Sequence, residues 1–141
     1  MEESLFVEIV APDERVFRGE AESLRAPGTE GSFQVLRGHA PMIASFEIGP
    51  LFVTTDAGER ISYATSGGFL EVLDDHVTVL AETAEPQDAI DTERARAAEE
   101  RARERLESGE LDTKERERYE ADLERARNRL RVSMGEAATA Q

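Results

Sequence analysis

His39 and His76 are the only histidines in the 141-residue chain, and cysteine is absent. Two imidazoles without thiolates make a poor metal site, so none is expected. His39 sits in Gly38-His39-Ala40-Pro41, a loop where the ring would bond backbone groups or pack. Ser66-Gly67-Gly68 sets a serine beside two glycines, but it lacks the G-x-S-x-G elbow that exposes a nucleophile. No nucleophile stands at a readable spacing from a base, so no catalytic residue is expected. The remaining charged chemistry is arginine, in the C-terminal third of the chain. Guanidinium groups fork onto carboxylates and phosphates. The plainest reading of that region is structural. Asp91 caps a helix, and the arginines are a solvated face paired with neighbours such as Glu120, Asp122 and Glu124.

The elements that must carry these residues fall into two kinds. Residues 67–82, GGFLEVLDDHVTVLAE, read as a β-hairpin. Two alternating apolar runs flank the acidic turn Asp74-Asp75. Both faces of each run carry apolar side chains, which predicts a sheet covered on both faces. Gly67-Gly68, without a Cβ, lets the first strand begin at a bend or bulge. Upstream, short strands are expected over residues 5–10, 15–18, 21–26, 32–36, 42–48, 51–55 and 61–65. Gly19, the loops at 27–31 and 37–41, Gly49-Pro50 and Asp56-Ala57-Gly58 separate them. Turn signals every 8–12 residues are those of an all-β sandwich or barrel.

After a linker at Pro86-Gln87 the period changes. Ala95, Ala98, Ala102 and Leu106 form a narrow helical stripe behind the cap Asp91. Ser108-Gly109-Glu110 ends it, and Asp112-Thr113-Lys114-Glu115 has the form of a capping box. Tyr119, Leu123, Ala126, Leu130 and Met134 make a second stripe. Two such helices on a short loop fold back antiparallel. The alanine-rich stripes bury little area, so this pair should be marginal alone. The fold class expected is α+β: a β-sandwich over residues 1–88, an antiparallel two-helix hairpin over 89–134, and a disordered tail over 135–141.

The net charge of −14 is uneven. Residues 1–90 hold 17 Asp or Glu against five Arg, whereas residues 91–133 hold 13 against 12 Lys or Arg. The acidic half argues against a nucleic-acid partner and suits solubility, as in a salty cytoplasm. No apolar run approaches the length of a membrane helix. The acidic start MEESLFVEIV lacks the form of a signal peptide.

Four segments, in order, carry a resemblance: 26–31 (APGTEG), 38–41 (GHAP), 66–72 (SGGFLEV) and 77–81 (VTVLA), followed by a helical pair with Asn128-Arg129-Leu130 near its end. Their order and spacing resemble the epsilon subunit of the F-type rotary ATP synthase over almost the whole chain. Ser32, Gln34 and Arg37 depart from the family pattern, which often has an acidic residue, a glycine and a proline there.

The resemblance implies a non-catalytic rotor subunit on the cytoplasmic face of the bacterial plasma membrane, peripheral and not inserted. Its sandwich would bind the gamma subunit and sit by the c-ring through Gly28, Glu30, Gly31, Ser32 and His39. Its hairpin would lie folded or extend along gamma into the catalytic head of alpha and beta subunits and block ATP hydrolysis. Arg125, Arg127, Arg129 and Arg131 would then meet an acidic segment of beta. Residues 90–95, IDTERA, match the motif with which some bacterial epsilon subunits bind ATP. That places Glu85, Ile90, Asp91, Arg94, Ala95 and Arg101, with Arg125 and Arg129, in a nucleotide site. No cofactor would be required beyond such a regulatory ATP. The alternative is a free-standing sandwich adaptor whose charged helices bind other helices.

Overall fold

The computed structural model describes residues 4–135. The chain divides after Pro86 into two compact units. The first holds seven strands: β1 (Leu5–Ala11), β2 (Glu14–Gly28), β3 (Gly31–Leu36), β4 (Met42–Thr55), β5 (Arg60–Leu73), β6 (His76–Ala81) and β7 (Ala84–Pro86). They pair in the order β1-β6-β5-β4-β2-β3, and β1 also pairs β2. Five strands therefore close a ring, with β3 on β2 and β7 on β5. The expected β-sandwich is present, its two layers joined into one barrel-like sheet.

The core follows the two-residue period of the strands. Leu5, Val7 and Ile9 of β1 point inward, as do Leu70 and Val72 of β5 and Val77 and Val79 of β6. Leu5, Ile9, Leu24, Leu51 and Leu70 are fully buried. Each contributes about 1.5–3 kcal/mol relative to exposure.

Three long strands replace the short ones expected. Residues 15–18 and 21–26 lie in β2, residues 42–48 and 51–55 in β4, and residues 61–65 and 69–73 in β5. In β4 and β5 the supposed break is a change of phase within one strand; in β2 the phase runs on through Gly19 and changes at Ser23-Leu24. On β4 the core takes Met42 and Phe46, then Leu51 and Val53; on β5 it takes Ile61 and Tyr63, then Leu70 and Val72. Even and odd positions exchange roles along both strands. Such a switch lets a strand turn the corner between layers while keeping its apolar side inward. The β4–β5 pairing runs through Gly49 and Pro50 without a slip, whereas the β2–β4 register shifts between Arg25 and Gly28. Pro50 therefore does not interrupt the β4–β5 ladder; the extra residues of the β2–β4 irregularity lie on β4, between Phe46 and Phe52.

Coverage of both sheet faces holds for only part of the hairpin's neighbourhood. Residues 62–65 of β5 and 51–53 of β4 are buried at every position. Phe52 is 4% exposed, with the Arg60 guanidinium 4.4 Å from its ring centroid. Farther along, the outer face is open. Phe69 and Leu80, cross-strand partners, are 60% and 55% exposed, and Ile43 is 76% exposed. These apolar residues read as core in the sequence because a period of two cannot say which face is inside.

The hairpin is not the last strand element, and Pro86 is not in a linker. Residues Ala84–Pro86 form β7, pairing Tyr63 with Pro86. A three-residue edge strand tolerates proline because its missing N–H falls where no ladder continues. A 3-10 turn over Gln87–Ala89 follows.

The second unit has α1 (Thr92–Glu107) and α2 (Thr113–Ser133). Asp91 caps α1, accepting the Arg94 N–H at 3.1 Å. Asp112 and Glu115 form the reciprocal capping box of α2, at 2.8 and 3.2 Å. The helices are antiparallel. Thr92 donates to Ser133 at one end, and Arg127 bridges to Glu99 near the middle. At the loop end the guanidiniums of Arg105 and Arg118 lie 5.0 and 5.5 Å from the centroid of the Tyr119 ring. Ala95, Ala102, Ala126 and Leu130 are buried as the stripes require. Asn128 and Val132, outside the expected stripe, are also buried, whereas Met134 caps α2 and is 48% exposed. Of the tail, only Gly135 lies within the described residues, turning with φ +76°.

Candidate functional site

The two expected contact loops are built differently. At the first, Gly28 pairs with Gly31 across the two-residue turn Thr29-Glu30. A Cβ on Gly28 would lie 2.6 Å from the Gly31 carbonyl oxygen and 2.8 Å from the Phe33 ring. Gly31 has φ +122°, which disfavours any side chain. The Thr29 N–H donates to the Ser45 carbonyl at 3.3 Å, tying this turn to β4. Ser32 accepts from Arg25 at 3.1 Å, and Glu30 is exposed at the tip.

The second loop holds His39. Its backbone N–H bonds Leu36, and its Nδ1 lies 2.8 Å from the Ala40 carbonyl. The ring thus binds backbone, as its setting suggested. The structure does not bring the two loops together. They lie at opposite ends of β3, whose six residues span about 17 Å. Gly28, Glu30, Gly31 and Ser32 form one surface, and His39 belongs to another.

The helical residues are placed by one geometric rule. Arg94 precedes the buried Ala95, Arg101 precedes Ala102, Arg125 precedes Ala126, and Arg129 precedes Leu130. In an antiparallel pair, residues offset in the same sense from the seam between the helices lie on the same side; Asn128 and Val132, about 200° from Ala126 and Leu130, are buried away from that seam. Four arginines therefore line one side of the helical pair, with Arg94 and Arg101 exposed. Arg125 also bonds Asp122 one turn earlier, at 2.6 Å. Asp91 and Ile90 lie at the start of α1, and Ala95 is fully buried. Glu85 belongs to β7 in the strand unit, paired with Ala64.

Arg125, Arg127, Arg129 and Arg131 do not form one row. Successive members are two residues apart, about 200° around a helix. Arg125 and Arg129 share one side, and Arg127 and Arg131 share the other. Arg127 is held by Glu99 of α1 at 3.2 Å.

The displaced pKa values belong to none of these residues. Burial pushes the Tyr63 phenol up to about 12. The hydrogen bond and charge of Arg103 hold the Glu100 carboxyl below its usual range on the exposed side of α1. Neither pairs a nucleophile with a base. Among the described residues no cluster of His, Asp and Glu could hold a metal ion, and no helix is long and apolar enough to cross a membrane.

Residues 4–87 match the family described as the ATP synthase delta/epsilon chain, beta-sandwich domain, and residues 88–134 match its long alpha-helix domain. The chain belongs to the ATP synthase delta/epsilon family. The join between the two matched domains falls within the 3-10 turn that follows Pro86. An ATP synthase epsilon chain of Salinibacter ruber is 58% identical, covering 100% of this chain and 99% of its own length. That of Geotalea uraniireducens is 46% identical, covering 94% and 96%. A chain in the cryo-electron microscopy structure of the Euglena gracilis mitochondrial ATP synthase (OSCP/F1/c-ring) superposes with TM-score 0.79 at 27% identity. It covers 91% of this chain and 80% of its own. A chain of the Tetrahymena thermophila mitochondrial ATP synthase central stalk/c-ring has the same fold at TM-score 0.59 and 16% identity, covering 91% and 95%.

One side chain at the second delta/epsilon loop was not singled out by the sequence. Asp75 accepts the Gly38 N–H at 2.6 Å from 37 residues away. Its only sequence signal was the acidic pair at 74–75, which reads as a turn.

Proposed function

We propose that this chain is the non-catalytic central-stalk subunit of an F-type ATP synthase. It couples c-ring rotation to ATP synthesis through gamma, and it restrains ATP hydrolysis through its two helices. The observation that carries this reading is the match of both units, in order and nearly end to end, to ATP synthase epsilon chains. The two units suit the two tasks. A ring of strands with a dense aliphatic core is a stiff coupling part. A helical pair seamed by alanines gains little per turn and can change its arrangement. The turn at residues 28–32 and the loop around His39, at opposite ends of β3, supply separate contact surfaces for gamma and the c-ring. The complex would sit on the cytoplasmic face of the bacterial plasma membrane, with this subunit peripheral to it.

The test is coupling. Membranes whose complex has been depleted of this chain should hydrolyse ATP without building a proton gradient. Adding the chain back should restore ATP-driven pumping. Equal pumping per ATP hydrolysed with and without the chain would refute the coupling role.

A regulatory ATP fits the arginine-lined side of the helical pair. Arg94, Arg101, Arg125 and Arg129 would fork onto phosphates. Asp91, capping α1 through Oδ1, has a second oxygen to accept from a base or ribose. A ligand that binds only the paired helices adds about 2.7 kcal/mol at a hundred times its Kd. Calorimetry should show ATP binding to the full chain and its loss in Arg94→Ala, with the strand unit's melting unchanged. If the unaltered chain gives no binding heat at millimolar ATP, Asp91 is a helix cap and nothing more.

A further inference from the structure

We propose that Asp75 is a positioning residue that sets the His39 loop for its partner, an inference that rests on the contact role given above to that loop. The Asp75 carboxylate makes two contacts to the loop between β3 and β4. Oδ1 accepts the Gly38 N–H at 2.6 Å, and Oδ2 lies 3.9 Å from Nε of Arg37. Its backbone is fixed as firmly. Asp74 and Asp75 both adopt left-handed conformations, with φ +52° and +63°. The Phe6 N–H of β1 donates to the Asp75 carbonyl at 2.9 Å. One residue thus joins the β5–β6 turn, strand β1 and the loop that carries His39.

The His39 N–H bonds Leu36 within the same turn, Gly38 has φ +86°, and a Cβ there would meet nothing within 4 Å. Such a loop, with a glycine at its bend, takes many conformations unless an outside group selects one. A carboxylate accepting a backbone N–H is among the stronger neutral-to-charged bonds, and it sits one residue before His39. Preorganising the loop removes an ordering cost from binding. The clamp is a matter of this chain's own residues, because Arg37 stands where the family commonly has proline, and proline would offer no guanidinium.

The experiment compares two substitutions in the full chain. Asp75→Gly keeps the left-handed turn and removes both side-chain contacts. Asp75→Asn keeps an oxygen acceptor and tolerates positive φ. For Asp75→Gly, thermal melting of the strand unit should stay near that of the unaltered chain. Amide exchange at Gly38 and His39 should rise about tenfold, as expected for losing one charge-assisted bond. Affinity for ATP synthase depleted of this subunit should fall about tenfold. Asp75→Asn should restore the Gly38 protection and most of the affinity. A purely structural role would move melting and leave affinity per folded molecule unchanged, which would overturn the proposal. Unchanged Gly38 exchange in Asp75→Gly would also overturn it. His39→Ala separates the proposal from the reading beneath it. If His39→Ala and Asp75→Gly both bind as tightly as the unaltered chain, the loop is no contact surface, and both fall. If His39→Ala weakens binding and Asp75→Gly does not, only the positioning role falls.

Discussion

Gly68→Ala should destabilise the strand unit by about 3 kcal/mol or more. The position sits where β5 turns its corner, with φ +153°. A Cβ there would lie 2.1 Å from the Leu80 carbonyl oxygen, 3.0 Å from the Ala81 Cα and 3.0 Å from the Phe46 ring. Two of these neighbours are backbone of the paired strand β6, so they cannot rotate away. Backbone strain of about 1–3 kcal/mol adds to overpacking of similar size. The neighbouring Gly67, at φ +113°, already carries part of the bend, leaving little freedom to share the displacement. Gly58→Ala is the control. It also has a positive φ, +88°, but nothing lies within 4 Å of its Cβ, so only about 1 kcal/mol of backbone strain is expected. Thermal unfolding followed by circular dichroism should therefore drop by about 10 °C or more for Gly68→Ala and by a few degrees for Gly58→Ala. Equal losses would mean that the corner yields and that the close approach of β6 is not binding on it.

Ending the chain after Asp88 should leave assembly and ATP synthesis in place and raise ATP hydrolysis by the complex. The cut spares β7, whose last pair joins Tyr63 to Pro86. The helices it removes bury mostly small side chains, with Ala95, Ala102 and Ala126 on the stripe, so their arrangement is weakly held. In the extended state, attraction between their arginines and an acidic surface of beta would oppose rotation in the hydrolysis direction. A held state favoured by about 1 kcal/mol, the scale of a few exposed charge pairs, would occupy about five complexes in six. Removing it should raise hydrolysis about sixfold. The helical geometry sharpens the arginine part. One acidic surface meets one side of α2, so one of the pairs Arg125/Arg129 and Arg127/Arg131, each replaced by alanine, should carry most of the effect. High salt should mimic that pair, since exposed charges are screened. Equal partial effects from both pairs would argue that the contact is a diffuse charge effect.

The legible parts of this fold are those decided within a few residues. Asp91 and Asp112 cap because their carboxylates reach N–H groups three positions on, and the spacing alone announces it. The Asp74-Asp75 turn and the β5–β6 hairpin are local in the same way. The long strands were not legible. Gly49-Pro50 and Gly67-Gly68 look like ends because the alternation changes phase there, yet tertiary pairing carries the chain through. The period of two also could not show that Leu70 and Val72 face the core while Phe69 and Leu80 face outward. Ring closure by β1 on both β2 and β6 joins segments far apart in sequence. The Gly38–Asp75 bond has the same non-local character. The split of the four arginines, by contrast, follows from 100° per residue.

The central claim is that this chain is a rotor part whose helices restrain wasteful hydrolysis. The most direct measurement is the ATP hydrolysis rate of assembled complexes carrying either the whole chain or the chain ended after Asp88, under matched activation and with pumping recorded in parallel. The account predicts retained pumping in both and hydrolysis about sixfold faster in the shortened form. Hydrolysis no faster without the helices would contradict it and leave the subunit a coupling part alone.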